Sequence, residues 1–403
     1  MKRRDFLLQS SATLLALASG MEQAMSTTNP EEPTMETPIT LFLCGDVMTG
    51  RGIDQLLPHP SEPQLYEPYI RNAQRYVELG EEINGTIAKP VSFDYIWGDA
   101  LSRLEQAAPD VRIINLETSV TASNNYWPYK GINYRMHPKN IACLTAAKID
   151  CCVLANNHIL DWGYAGLTET LHALTSAGIK TAGAGATLQQ AQSPAILDAP
   201  SKGRVIVIAC GTISSGISSE WAAQSRKAGV YLLTDLSRRM VDYIATIVHQ
   251  SKRPGDVAVL SIHWGGNWGY EIPQEHIELA HMLIDSASVD ILHGHSSHHP
   301  LGLEVYKGKL ILYGCGDFLN DYEGIGGHEY YRGDLSLMYF ASIAPATGKL
   351  AGLEMAPMQI KRFKLNRASQ DDASWLQHTL NEQSRRFNCH IELTSDQMLK
   401  AVY

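Results

Sequence analysis

From residue 39 onward the chain repeats one pattern: a short, near-continuous apolar run, an abrupt polar cluster, then a stretch with apolar residues at helical spacing. The apolar runs fall at 39–44, 111–114, 151–155, 205–210, 257–262, 289–292 and 310–313. Runs this short without alternation are what strands buried on both faces look like. Helical spacing marks 165–177, closed by Gly178, then 236–250, which stops before Pro254, and 274–285, which opens after Pro273. Strand alternating with helix predicts an α/β layer fold. Residues 303–340 hold apolar runs with no helical spacing between them, and predict a meander in a second, partly antiparallel sheet. Residues 55–110 show no strand pattern and read as a mostly helical insertion, with Phe93, Tyr95 and Trp97 as core-packing aromatics. A strand at 358–365 and a helix around 373–387 read as a C-terminal extension, 346–403, packed on a main domain at 39–345.

The N-terminus breaks the pattern. Arg3 and Arg4 precede Phe6-Leu7 and a short apolar stretch, 11–18, ending in Ala16-Leu17-Ala18. This is the form of a twin-arginine export signal, 1–18, and the stretch is too short for a permanent membrane span. Residues 19–38, rich in Ser, Thr, Pro, Glu and Met without period, read as a flexible linker. The expectation is a periplasmic or extracellular protein.

Composition narrows the class. Hydrophobic residues make up 44% and charged residues 19%, which places the chain among globular proteins. The net charge of -9 and the lack of a basic face argue against nucleic acid as a partner. The seven cysteines are odd in number, without zinc-site spacing, and most lie inside apolar runs, so they read as small core residues rather than disulfides.

The chemistry sits where the apolar runs stop. After 39–44 comes Gly45-Asp46-Val47-Met48-Thr49-Gly50-Arg51. After 111–114 comes Asn115-Leu116-Glu117. After 151–155 comes Asn156-Asn157-His158, with Asp161 and Gly163 following. After 257–262 comes His263-Trp264-Gly265, and after 289–292 comes His293-Gly294-His295-Ser296-Ser297-His298-His299. Ligands of open α/β sheets collect at the carboxyl ends of strands. Five such ends deliver Asp, Glu, Asn and His and no Cys, a set suited to Mn, Fe or Zn. A hydrolytic two-metal centre needs carboxylates to hold or bridge the ions, neutral imidazoles, and a spare acid or base, and the clusters supply each.

These motifs, in this order, resemble the CapA family of capsule and poly-γ-glutamate synthesis over about residues 39–340. Gly316-Asp317-Phe318 is similar to the family's late Gly-Asn-Phe segment, with Asp where Asn is usual. The family in turn resembles calcineurin-like metallophosphoesterases, which implies a layered α/β/β/α sandwich with mixed sheets. By that resemblance Asp46 and His298 bind a first metal, Glu117 bridges, and Asn157, His263 and His295 bind a second. His158 is implied as the acid or electrostatic stabiliser near the leaving group, with Asp161 grouped beside it as catalytic. Met48 stands where those enzymes carry His, and Glu117 where they carry Asp. The first site therefore looks short of a ligand, and the expectation is one or two divalent ions per chain, nearer one. Arg51, Lys130 and Arg135 are candidate anion contacts, the last two in a segment, 127–136, that resembles a family loop near the site. Two functions follow from the resemblance. One is a metal-dependent, phosphoesterase-like hydrolase acting on an anionic polymer or a phosphorylated or carboxylated small substrate. The other is a non-catalytic accessory that guides an anionic polymer, working with membrane-bound capsule machinery.

Overall fold

The computed structural model describes residues 37–403, so the export signal and nearly all of the linker lie outside the described residues. The described residues form one compact unit. Each of the seven apolar runs overlaps a strand of one of two sheets, although the runs 151–155, 289–292 and 310–313 extend past Cys151–Val153, Ile291–His295 and Lys309–Leu312 at one end. In the first sheet Ile39–Val47, Val111–Leu116, Cys151–Val153 and Lys180–Ala182 run parallel in that order. On the other side of Ile39–Val47, the strands Leu335–Ala344, Lys349–Ile360, Leu399–Val402 and His390–Leu393 continue it in antiparallel fashion. The second sheet holds Leu232–Leu233, Gly203–Thr212, Val257–His263, Ile291–His295 and Lys309–Leu312 in parallel, with Leu303–Tyr306 antiparallel at one edge.

The alternation of side chains along these strands builds the layers. Leu41, Leu43, Val111 and Ile113 pack with Val205, Val207, Val257, Val259, Ile291 and Leu310 in one core between the sheets. Their neighbours Phe42, Cys44, Ile114 and Leu116 turn the other way and join Leu104, Leu167 and Leu174. Those three lie on the helices Ala100–Ala107 and Gly163–Ser176. On the second sheet Ile208, Leu260, Ile262, Leu292 and Ile311 face the helices Arg238–Ser251 and Gln274–Ala287 through Val241, Ile244, Leu279 and Leu283. The order is helix, sheet, sheet, helix, the expected α/β/β/α sandwich. Central strands such as Val257–His263 and Ile291–His295 are buried throughout, whichever way their residues point, which is why such runs read as continuous. All seven cysteines are free and buried.

Three readings need correction. The segment 303–340 is not a meander in one sheet. Its first two strands edge the second sheet, whereas Asp317–Leu319 pairs in parallel with Ile39–Val47 and Leu335–Ala344 lies on that strand's flank. Residues 55–110 contain no named strand, but α-helix covers only Gln74–Asn84 and Ala100–Ala107 there, with short 3-10 turns and irregular chain between. The strand read at 358–365 is the end of Lys349–Ile360 followed by Leu365–Arg367. The following helix is Gln370–Ser384, capped by the Ser369 side chain, and a terminal hairpin adds two strands that no apolar run announced.

Candidate metal centre

The two sheets meet at one rim, and the polar clusters meet with them. On three adjacent parallel strands Asn115, Asp46 and Asp317 are cross-strand partners. A side chain at Gly45 would put its Cβ 1.7 Å from the Gly316 carbonyl oxygen, so only glycine lets these strands approach closely enough to set Asp46 beside Asp317. On the second sheet His263 and His295 are likewise register partners. The chain leaves Ile291–His295 through Ser296, whose φ of 105 is rare for an L residue, and returns with His298.

The donors converge. Asp46, His263 and His295 each offer a donor atom, and the three atoms lie within 4.8 Å of one another; Asp46, His298 and Asp317 form a second such group. His263 Nε2 is 3.2 Å from Asn157 Oδ1 and 3.6 Å from Glu117 Oε1. His263 Nδ1 and His295 Nδ1 are 2.7 Å apart, and Ser261 Oγ holds the far nitrogen of His295 at 2.8 Å. The Asn115 amide donates to Asp46 Oδ1 at 2.7 Å and to Glu117 Oε2 at 2.8 Å, and is itself fixed by Asn156. Asp46 Oδ2 is buried with no hydrogen-bond partner.

All six residues read as metal ligands therefore stand together, and Asp46 is a carboxylate common to both donor groups. The group around His298 is not short of a third donor, because Asp317 stands in it. Met48 is fully buried, its sulfur 3.7 Å from the Tyr322 hydroxyl. Asp317 begins its strand, so the pattern of donors after apolar runs does not mark it, and the Asp in place of the family's Asn is its signal in the sequence.

The electrostatics call for a cation. Burial, then the neighbouring Asp317 carboxylate, push Asp46 up to about 7. Burial and Asp46 push Glu117 well above the carboxylate range. Burial holds His263 and His295 far below the usual imidazole value, with neighbouring imidazoles adding to the effect. Burial opposes charge on His298, but Asp317 and Asp46 outweigh it and raise its pKa. Buried carboxylates side by side are costly unless a positive charge joins them.

His158 faces the same centre, with Nε2 3.9 Å from Glu117 Oε1. Its Nδ1 is 2.7 Å from Asp161 Oδ2 and 3.1 Å from Lys130 Nζ. Lys130 Nζ also meets Asp161 Oδ1 at 2.8 Å and donates to the Ile132 carbonyl at 3.0 Å. With two oxygen acceptors already serving the ammonium, the ring proton is assigned to Nδ1, toward Asp161. Burial first, then the Lys130 charge, lower His158 to about 4 against the opposing pull of Asp161. Burial thus favours the neutral ring, with the lone pair on Nε2 toward the centre. Of the two roles the resemblance implies, acid or electrostatic stabiliser, that state fits the second, and it also fits a proton acceptor. Asp161 is buried behind the ring and also accepts from the Tyr134 amide at 2.6 Å, so it is placed to position His158.

Two anion contacts are corrected. Arg51 is buried, with Nε and a terminal nitrogen on Asp321 at 2.8 and 2.5 Å and the other on Glu67 at 3.0 Å, and it lies over the Tyr76 ring. Its charge is matched within the fold. Arg135 donates to the Ser123 and Glu62 carbonyls and to Asn124, 4.0 Å over Trp162, and so ties loops together. A cleft of about 870 Å³ opens beside His298, lined in part by Tyr76, Trp268, Tyr322 and Lys361.

All these donors lie within residues 40–322, which match the family described as Bacterial capsule synthesis protein PGA_cap. The chain belongs to that family. A "Probable polyglutamine synthesis accessory protein" of Mycobacterium tuberculosis is 49% identical to this PGA_cap chain over 365 residues, 90% of this chain and 96% of that one. The PGA biosynthesis protein CapA of Bacillus subtilis is 27% identical over 280 residues, 69% of this chain and 62% of that one. The resemblance to CapA proteins read from the motifs is thus confirmed. Among solved structures a phosphatase of Mycoplasma pneumoniae overlays with a TM-score of 0.43 at 12% identity, over 81% of this chain and 95% of that one.

Proposed function

We propose that this protein serves capsule or poly-γ-glutamate synthesis as a metal-dependent hydrolase with phosphoesterase-like chemistry. It acts on an anionic polymer or a phosphorylated or carboxylated small substrate, after export by the twin-arginine route. The observation that carries the reading is Asp46, a buried carboxylate shared by two donor groups and left with an unpartnered oxygen. Carboxylates, an amide oxygen and imidazoles fit Mn, Fe or Zn. Asp46, Asn157, His263 and His295 would hold one ion, with Glu117 alongside, and Asp46 and His298 would take part in a second. Bound there, the ions would supply a nucleophile at neutral pH and polarise the scissile group.

The chain's own residues do the rest. Asp161 and Lys130 fix the His158 ring so that Nε2 faces the centre, ready to accept a proton. Asn115 holds the Asp46 and Glu117 carboxylates in register. The cleft beside His298 gives an extended substrate a way in, with Lys361 at its wall.

Metal-loaded protein assayed on a chromogenic phosphodiester and on poly-γ-glutamate tests the reading. Turnover is expected for at least one, falling about 10²–10⁴-fold in His158→Ala with metal content unchanged. Turnover of neither, with retained polymer binding, would make the protein the non-catalytic accessory. Export is tested separately: with Arg3 and Arg4 both changed to Lys, the protein should stay in the cytoplasm, and normal secretion of that variant would refute the signal.

A further inference from the structure

The group around His298 contains a residue to which the resemblance assigns no role. We propose that Asp317 is a metal ligand, forming with Asp46 and His298 a complete second cation site in which Asp46 bridges to the first. This rests on the metal reading above.

Four observations carry it. Asp317 is the cross-strand partner of Asp46, delivered by the parallel pairing of Asp317–Leu319 with Ile39–Val47. Donor atoms of Asp46, His298 and Asp317 fall within 4.8 Å of one another, all from buried side chains. One oxygen of Asp46 is occupied by Asn115, whereas the other is buried without a partner. Asp317 Oδ1 lies 2.7 Å from His298 Nδ1, while its other oxygen is held by Asn320 at 2.8 Å. Neighbouring donors on one ion, each about 2.0–2.2 Å from it, are separated by roughly 3 Å. The chain therefore already places an oxygen and a nitrogen as an ion would have them.

The assignment also accounts for Met48. A thioether is a weak donor for a hard divalent ion, and here it packs against Tyr322. A carboxylate arriving from the far end of the chain supplies the donor, and the charge, that Met48 does not.

The competing role for Asp317 is to orient the His298 ring through its Nδ1 proton, as carboxylates behind metal-bound imidazoles do. Asp317→Asn separates the two, since it keeps an acceptor for that proton but removes the charged ligand. The full chain, stripped with chelator, reloaded with Mn²⁺ and desalted, is analysed for metal, with melting temperature recorded before and after loading. Two ions are expected in the wild type and one in Asp317→Asn. The melting temperature of Asp317→Asn should gain less from Mn²⁺ than that of the wild type. His298→Gln should lose the same ion, and the double variant should lose no more than either single one. Two ions retained at wild-type affinity in Asp317→Asn or in His298→Gln would overturn the proposal. So would one ion in both wild type and Asp317→Asn, which leaves the metal reading standing. A wild type that binds none removes the reading and the proposal together.

Discussion

The first sheet brings oxygen to the centre, and the second brings nitrogen. Asp46, Glu117 and Asp317 come from Ile39–Val47, the residue after Val111–Leu116, and Asp317–Leu319, whereas His263 and His295 end two strands of the other sheet. The halves are held differently. Asn115 and Asn320 amides brace the carboxylates, and the Ser261 hydroxyl braces an imidazole. They also respond to burial in opposite senses. Asp46 and Glu117 are pushed toward their neutral, protonated form, and His263 and His295 toward their neutral, unprotonated form. An unprotonated imidazole is ready to bind a metal, whereas crowded carboxylates are at ease only once a cation arrives. The oxygen half is thus the one whose charge an ion would relieve, and the nitrogen half is the one already unprotonated for it.

The comparison breaks most severely at the residue both donor groups share. Asp46→Asn should retain no metal after desalting and show only background turnover, while the metal-free fold persists. Elemental analysis and the activity assay check this, and an ion held with wild-type affinity would show that Asp46 is not common to both groups. A smaller effect belongs to the nitrogen half alone. Ser261→Ala frees one side of His295 and should weaken one ion about 10–100-fold, the usual cost of losing an outer partner of a ligand. The ion beside Asp317 should be untouched in the same titration.

The smallest effect lies in how metal-free stability depends on pH. His158, His276, His293 and His299 are lowered by burial from 6.5 to about 4, so each takes up a proton in the unfolded chain first. Their contribution is present above pH 6.5 and is lost as pH falls toward 4. Asp46, raised from 3.8 to about 7, works the other way, because the folded chain binds its proton first in that window. Removing the carboxyl removes the opposing slope. Metal-free Asp46→Asn should therefore lose stability between pH 6.5 and 4.5 more steeply than the wild type. The difference should approach one proton, about 1.4 kcal/mol per pH unit. Denaturation midpoints across that range measure it, and parallel curves would mean Asp46 is not raised.

Much of this centre was legible in the chain itself. Strands buried on both faces must be apolar throughout, so the apolar runs marked them, and the polar clusters at their carboxyl ends marked the rim where chemistry collects. The sequence by itself thus determined the α/β class, the core strands and those clusters, within which the family resemblance singled out Asp46, Glu117, Asn157, His263, His295 and His298 as candidate ligands. Tertiary structure decided the rest, because it turned on partners far apart in the chain. Arg51 looked free until Glu67 and Asp321 closed on it, and Arg135 until the Ser123 and Glu62 carbonyls did. Asp317 stood only as a variant of the family's Gly-Asn-Phe segment until a parallel pairing set it against Asp46. Local pattern records which way a residue faces and what it is made of. It does not record which distant strand will lie beside it, and at Asp317 that neighbour sets the role.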